Sequence, residues 1–304
     1  MLIAWLIFFI IIIVVFVLDL GVFHRKAHEI HYKEALLLSA LWISFALAFN
    51  VGIYYFLGHA DAIEFFTGFL IEKALSVDNI FVFIIIFRYF NVPSLYQHKV
   101  LFWGILGALI MRGIFIFAGV SLVQKFHWLI YVFGIMLIIT AIKLLTQKDK
   151  KMKIERNPVL RMLRKFLRIT DHYEKGKFFT HLNKLLYATP LFVVLIVIET
   201  TDIVFAVDSI PAIFSITMKP FIIYTSNVFA ILGLRALYFA LHGIMNLFYY
   251  LNYGLSIILA FVGVKMLLSA VYKIPTPIAL SVIALTLLIS ILASILYPPK
   301  SKNT

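Results

Sequence analysis

Apolar positions along the chain gather into runs of about 20 residues, long enough to cross a bilayer as α-helix. About nine such runs can be counted. They are Leu2–Leu20, Ala35–Leu57, Ala62–Phe87, Val100–Leu122, Trp128–Leu145, Leu185–Ile210, Phe221–Leu241, Leu251–Val271 and Ile278–Leu296. Polar links separate them: Phe23 to Lys33, the turn Asn91-Val92-Pro93-Ser94, and a basic stretch from Gln147 to Asn183. Pro211 is expected to stop the sixth run, Lys219-Pro220 opens the seventh, and Pro275 and Pro277 precede the ninth. The pattern predicts an all-α, polytopic membrane helical bundle, a single transmembrane domain over 1–304.

Composition agrees. The chain has 304 residues, of which 63% are hydrophobic and 13% charged, and no soluble domain of this length is built so. The absence of cysteine removes disulfides, thiolate metal sites and redox-active thiols. A net charge of +13 would suit nucleic acid, but most of the excess lies in one loop between apolar spans, which points to membrane topology and no nucleic-acid partner. That loop carries Lys148, Lys150, Lys151, Lys153, Arg156, Arg161, Arg164, Lys165, Arg168, Lys175 and Lys177 and is read as cytoplasmic. Arg25, Lys26, Lys33 and Lys99 then also lie inside, with the N-terminus outside and the C-terminus in the cytoplasm. Met1 to Leu20 has no basic start and no small-residue cleavage site, so it is read as a retained first span. Within the loop, Leu160, Leu163, Phe166 and Leu167 alternate with Arg161, Arg164, Lys165 and Arg168 at helical spacing. One reading is an amphipathic helix that makes anionic lipid a partner of the 148–177 loop. The other is a solvated loop that satisfies the topology rule.

Two acidic motifs interrupt the apolar runs. Glu72-Lys73-Ala74-Leu75-Ser76-Val77-Asp78-Asn79-Ile80 lies in the third, and Glu199-Thr200-Thr201-Asp202-Ile203-Val204-Phe205-Ala206-Val207-Asp208-Ser209-Ile210-Pro211 in the sixth. Aligning Val77-Asp78-Asn79-Ile80 with Val207-Asp208-Ser209-Ile210 sets Glu72 opposite Asp202. The next run in each half carries an arginine, Arg112 or Arg235. The run after that matches without a gap, Tyr131, Leu137, Ala141 and Lys143 against Tyr253, Leu259, Gly263 and Lys265. Spans three to five thus correspond to spans six to eight. The expected organisation is repeat one over 62–146, the basic loop over 147–183, repeat two over 184–272 and a final span over 276–297. Three crossings per copy reverse the second copy, the inverted-repeat plan of many transporters.

A carboxylate at membrane depth costs about 2.5–3.5 kcal/mol even on lenient insertion scales, so these acids are functional candidates. On a regular helix Glu72, Ser76 and Asn79 share a face, as do Asp202 and Ser209, with Glu199 one turn before Asp202. Asp78 and Asp208 fall about 120° from the first acid of their motif. Either the helices unwind near Ser76-Val77 and Ala206-Val207, or the acids serve two faces. Carboxylate, amide and hydroxyl oxygens suit hard cations such as Mg²⁺, Ca²⁺ and Mn²⁺. The metal-site candidates are Glu72, Asp78, Asn79, Glu199, Asp202, Asp208 and Ser209, with Lys73, Arg112 and Arg235 as counter-charges. The competing reading is a set of static ion pairs, which stabilise poorly compared with apolar packing.

Weaker signals are set beside these. His24-x3-His28-x2-His31 resembles one histidine box of a membrane oxygenase, but the other histidines are scattered, and it is read as loop. Asp19 sits at the end of the first span, where a carboxylate reaches water. Asp61 and Glu64, at the mouth of the third span, would attract cations or serve as interfacial charges. Neither a nucleophile–base pair nor a cofactor or ATP-binding motif appears, so no enzyme and no cofactor are expected.

The motifs Glu72-Lys73-x-Leu75-Ser76-x-Asp78-Asn79 and Glu199-x2-Asp202-x2-Phe205-Ala206-x-Asp208-Ser209-x-Pro211-Ala212, with Leu101-Phe102-Trp103-Gly104 and Ala108-Leu109-Ile110-Met111-Arg112, resemble the TerC family over nearly the whole chain. The resemblance implies a bacterial inner-membrane protein associated with manganese export, metal homeostasis and metal loading of exported proteins, and historically with tellurite resistance. On it, Mn²⁺ is the expected transported substrate, moved by alternating access through a midplane carboxylate site. The alternative is a non-transporting membrane organiser or metal-homeostasis partner, with membrane proteins as its partners.

Overall fold

The computed structural model describes residues 2–21, 32–146, 167–170, 172–174, 176–182, 185–242, 250–269, 271–272 and 274–296. The elements are α1 (Leu2–Gly21), α2 (Tyr32–Leu57), α3 (His59–Tyr89), α4 (Ser94–Lys125), α5 (Leu129–Thr146), β1 (Phe179–Leu182), β2 (Leu185–Ala188), α6 (Pro190–Phe214), α7 (Pro220–Leu232), α8 (Leu234–His242), α9 (Leu251–Leu268) and α10 (Thr276–Leu296). Each predicted run contains helix, and among the described residues six helical stretches are long and apolar enough to cross a membrane on length and composition alone. The chain is a polytopic helical membrane protein.

The helices turn apolar faces both inward and outward. On α4, Leu109, Arg112, Ile116 and Val120 are buried, while Ile110, Ile114 and Phe117 are exposed. A three-to-four residue spacing therefore separates a protein-facing stripe that includes a charge from a purely apolar outer stripe, the arrangement suited to a lipid solvent. Exposed Leu285, Leu288, Ile289 and Leu292 make a similar stripe on α10.

Three features depart from the sequence reading. First, the sixth run does not begin as helix. Leu185–Ala188 pairs antiparallel with Phe179–Leu182, and the helix starts at Pro190, whose missing N–H costs nothing in a first turn. Secondly, Pro211 does not end that helix, which continues to Phe214. The helix stops within a turn of the proline, so little hydrogen bonding is lost, and buried Ala212, Ile213 and Phe214 anchor the last turn in the core. Thirdly, α3 and α6 run unbroken through their acidic motifs, whereas the seventh crossing is cut at Gly233 into α7 and α8.

Along α4 and α6 the buried polar positions lie between two apolar clusters. One joins Ile80, Phe87, Val100, Leu101, Leu191, Val194, Ile198 and Tyr238 near the β-hairpin. The other joins Ile116, Val120, Val123, Ile210, Ile213, Phe214 and Ile223 toward the opposite end. The hairpin end is also pinned by polar contacts. Tyr173 donates to the Phe90 carbonyl at 2.6 Å, Lys99 Nζ to the Gly176 carbonyl at 2.7 Å, and Tyr238 to Gln97 Oε1 at 2.8 Å. Burial pushes the Tyr173 phenol up to about 12, so it remains a donor at any physiological pH. The stretch read as an amphipathic helix lies outside the described residues except for Leu167 and Arg168, as do His24, His28 and His31.

Helices α5 and α9 pack antiparallel at very close range. A methyl on Gly263 would fall 2.7 Å from the Gly134 carbonyl oxygen, a distance that only glycine permits. Further along the pair, Ser256 Oγ donates to the Ala141 carbonyl at 2.6 Å. In the gap-free alignment of the two halves, Gly134 matches Ser256 and Ala141 matches Gly263. Exchanging the copies therefore exchanges these two contacts, the reciprocity of a two-fold-related pair.

Candidate cation site and its charge partners

Arg112 stands at the centre of the buried polar layer, 1% exposed. Its Nη1 donates to Glu72 Oε1 on α3, to Ser209 Oγ on α6 at 3.3 Å and to Asn227 Oδ1 on α7 at 2.8 Å. Its Nε and Nη2 meet Asp202 Oδ2 and Oδ1 of α6 at 3.4 and 3.3 Å, so the guanidinium fork faces both carboxylate oxygens. Four helices thus meet on one cation, and the aligned acids of the two motifs, Glu72 and Asp202, are both on it. Ser76 Oγ donates to Glu72 Oε1 at 3.5 Å. Glu72, Ser76 and Asn79 are all buried, as their common helical face requires, and so are Asp202 and Ser209.

Glu72 Oε2 is buried and has no hydrogen-bond donor. A carboxylate oxygen sealed from water without a donor is costly, typically by about 1–3 kcal/mol or more. A hard cation would satisfy it. Among the described residues no three His, Cys, Asp or Glu form a ready metal cluster. What is described is two carboxylates already held by a protein cation, with one ligand oxygen to spare.

The remaining candidates divide. Glu199 is half-buried on α6 and lies against Gly107 of α4, where any side chain would collide with its carboxylate. Arg235 is buried on α8. The side chains of Asp78 and Asp208 lie outside the described set. Lys73, read from the sequence as a counter-charge to the acids, instead donates to the Ala230 carbonyl of α7 at 3.2 Å. Successive residues on a helix are rotated by about 100°, so Lys73 leaves the face that Glu72 occupies. Asn227 was not singled out from the sequence. The signal was there, since Thr225-Ser226-Asn227 is a polar triplet within an apolar run, and all three are fully buried.

A second charged group lies at the end opposite the hairpin. Lys219, in the link between α6 and α7, pairs with Asp61 of α3 and lies 3.2 Å from Glu64 Oε2. Lys219 and Glu64 edge a cleft of about 540 Å³ that also reaches Lys265, Thr217 and Thr276. Partial burial works against the Lys219 charge, but the hydrogen bonds to Asp61 and Glu64 outweigh it and raise its pKa. A raised value means that the Lys219 charge contributes its stabilisation below the ordinary lysine value of 10.5, and that this is lost as pH climbs through the raised one. Lys219→Gln should therefore lower the melting temperature of the purified protein only slightly, a loss of less than about 1 kcal/mol of stability for so exposed a lysine. Melting curves against pH should show the difference between native and variant proteins shrinking in strong alkali.

Comparison with known proteins shows the family. The model of the integral membrane protein TerC family matches residues 57–302. An uncharacterized membrane protein of Myxococcus xanthus is 51% identical over 292 residues, covering 96% of this chain and 92% of its own length. A putative membrane-bound redox modulator Alx of Salmonella typhi is 46% identical over 285 residues, covering 91% and 88%. An uncharacterized membrane protein of Rickettsia bellii is 46% identical over 293 residues, covering 96% and 97%. No solved structure matches the chain. With a family model spanning both acidic motifs and relatives similar from end to end, the chain belongs to the TerC family of integral membrane proteins.

Proposed function

We propose that the protein is a secondary transporter that exports a divalent cation, Mn²⁺ above all, across the bacterial inner membrane. The observation that carries this is the cation already in the site: Arg112 joins Glu72 of one motif to Asp202 of the other while Glu72 Oε2 waits for a partner. A tethered guanidinium between two carboxylates is a placeholder that a mobile dication displaces, and hard oxygen ligands suit Mn²⁺. The reciprocal α5–α9 contact supports two inverted copies able to rock about a shared axis. The apolar clusters on either side of the polar layer supply the two seals that alternating access opens in turn. Lysine and arginine bias sets the basic loop and C-terminus in the cytoplasm. No covalent chemistry is assigned to the chain, and an ion gradient or the membrane potential supplies the drive. The redox label on the Alx relatives cannot be carried here by thiols, since this chain has none. Control of a metal ion is the route by which such a protein would influence redox state.

The test is Mn²⁺ flux in proteoliposomes, comparing native protein with Asp78→Ala and Asp208→Ala at matched insertion. Export activity in the native protein and its loss in both variants is the expected result. Undiminished flux in both would remove the acids from the mechanism. If deletion of 152–177 abolishes function while the acids prove dispensable, the organiser reading takes over.

A further inference from the structure

The cut in the seventh crossing creates a second polar feature that the transport reading does not use. Helix α7 ends at Leu232 and α8 begins at Leu234, with only Gly233 between them. The break falls midway along 220–242, at membrane depth on the reading above. A helix C-terminus leaves its last carbonyls without N–H partners, and hydrocarbon supplies none. Helical bonding resumes with Leu237 N–H to the Gly233 carbonyl at 3.0 Å. Upstream of the break, the Ala230 carbonyl takes the Lys73 ammonium at 3.2 Å. A methyl on Gly233 would fall 2.8 Å from Lys73 Nζ and 3.1 Å from Trp42 Cβ, so the glycine leaves just the room that the ammonium fills.

A positive charge at the negative end of a half-helix is favourable. Free carbonyl oxygens at an unwound point within a membrane helix are the ligands that transport proteins offer to small monovalent cations. We propose that the carbonyl end of α7 is a monovalent-cation site, and that the native chain fills it with the Lys73 ammonium. The site is tied to the carboxylate layer by two short paths. Lys73 follows Glu72 in α3, and Asn227, which accepts from Arg112, lies about one turn before Ala230 in α7. Withdrawing Arg112 from Glu72 and Asp202 would move its partner Asn227 as well, and the Lys73 ammonium would remain as the polar tie beside the end of α7.

The experiment uses full-length protein in detergent, with Lys73 shortened to make the site vacant or replaced to keep it filled. Lys73→Ala should melt well below the native protein and regain most of the loss in ethylammonium or potassium chloride, compared with choline chloride at equal ionic strength. Lys73→Met fills the same space without charge and should melt low with no recovery, and the native protein should be indifferent to the choice of salt. Lys73→Ser carries the same expectation as Lys73→Ala if the latter does not accumulate. No salt response in either shortened variant, or an equal response in native and Lys73→Met protein, overturns the proposal. The flux arm alone rests on the transport reading: Mn²⁺ flux lost in Lys73→Ala should return with the same cations. Salt-dependent melting with no flux in any protein would sustain the cation site and count against transport.

Discussion

Glu72→Gln is expected to abolish most Mn²⁺ flux while leaving the protein inserted and folded. Glutamine keeps the size of the side chain and an oxygen for Arg112, and Asp202 still faces the guanidinium through both oxygens. The loss is the negative charge and the buried Oε2 that has no donor in the resting structure. A hydrogen bond or ligand contact to a charged group contributes about 1.5–3 kcal/mol, so one lost ligand should weaken cation binding by about 10- to 150-fold. Flux measured against Mn²⁺ concentration in proteoliposomes checks this, with a melting curve to confirm folding. A Glu72→Gln protein that transports like the native one would mean that the Arg112 layer is a structural clamp.

Arg112→Met should have the larger effect on stability, because it leaves two buried carboxylates facing each other without a cation. Removing one partner of a buried charge network typically costs about 3–5 kcal/mol, whereas replacing the whole network by apolar or neutral groups is often close to neutral. Arg112→Met alone should therefore melt far below the native protein or fail to accumulate. The triple variant Arg112→Met, Glu72→Gln, Asp202→Asn should recover most of that loss. It should still carry no Mn²⁺, since the ligands are gone. Recovery of stability without recovery of flux separates holding the bundle together from handling the ion. A triple variant as unstable as Arg112→Met would show that the arginine acts through Asn227 and Ser209 instead.

Local rules were legible where local physics decides the outcome. The common face of Glu72, Ser76 and Asn79 follows from helical pitch, and their joint burial agrees with it. Charge alone makes Lys73 a candidate partner of the acids, but a one-residue step turns its side chain about 100° from Glu72, toward the Ala230 carbonyl. The helix break was sought beside the acids, where a cation site would favour it. It lies at Gly233, where the absence of a side chain lets Lys73 and Trp42 approach the backbone. The polar triplet Thr225-Ser226-Asn227 is visible in the sequence, but only the packing of α7 against α4 singles out Asn227 as the member that meets Arg112.

By itself the sequence determined the bilayer-spanning class, the helical runs, the paired acidic motifs and the family. All of these rest on hydrophobicity summed over about 20 residues or on motifs read in a line. Only the tertiary structure decided which acids share a cation, because Glu72, Arg112, Asp202 and Asn227 are distant in sequence and meet through the packing of four helices. The β-hairpin before α6, the passage of α6 through Pro211 and the cut at Gly233 were likewise settled there. Ladder bonds between neighbouring stretches fix the hairpin, burial of Ala212, Ile213 and Phe214 carries α6 past Pro211, and the approach of Lys73 and Trp42 to Gly233 accompanies the cut.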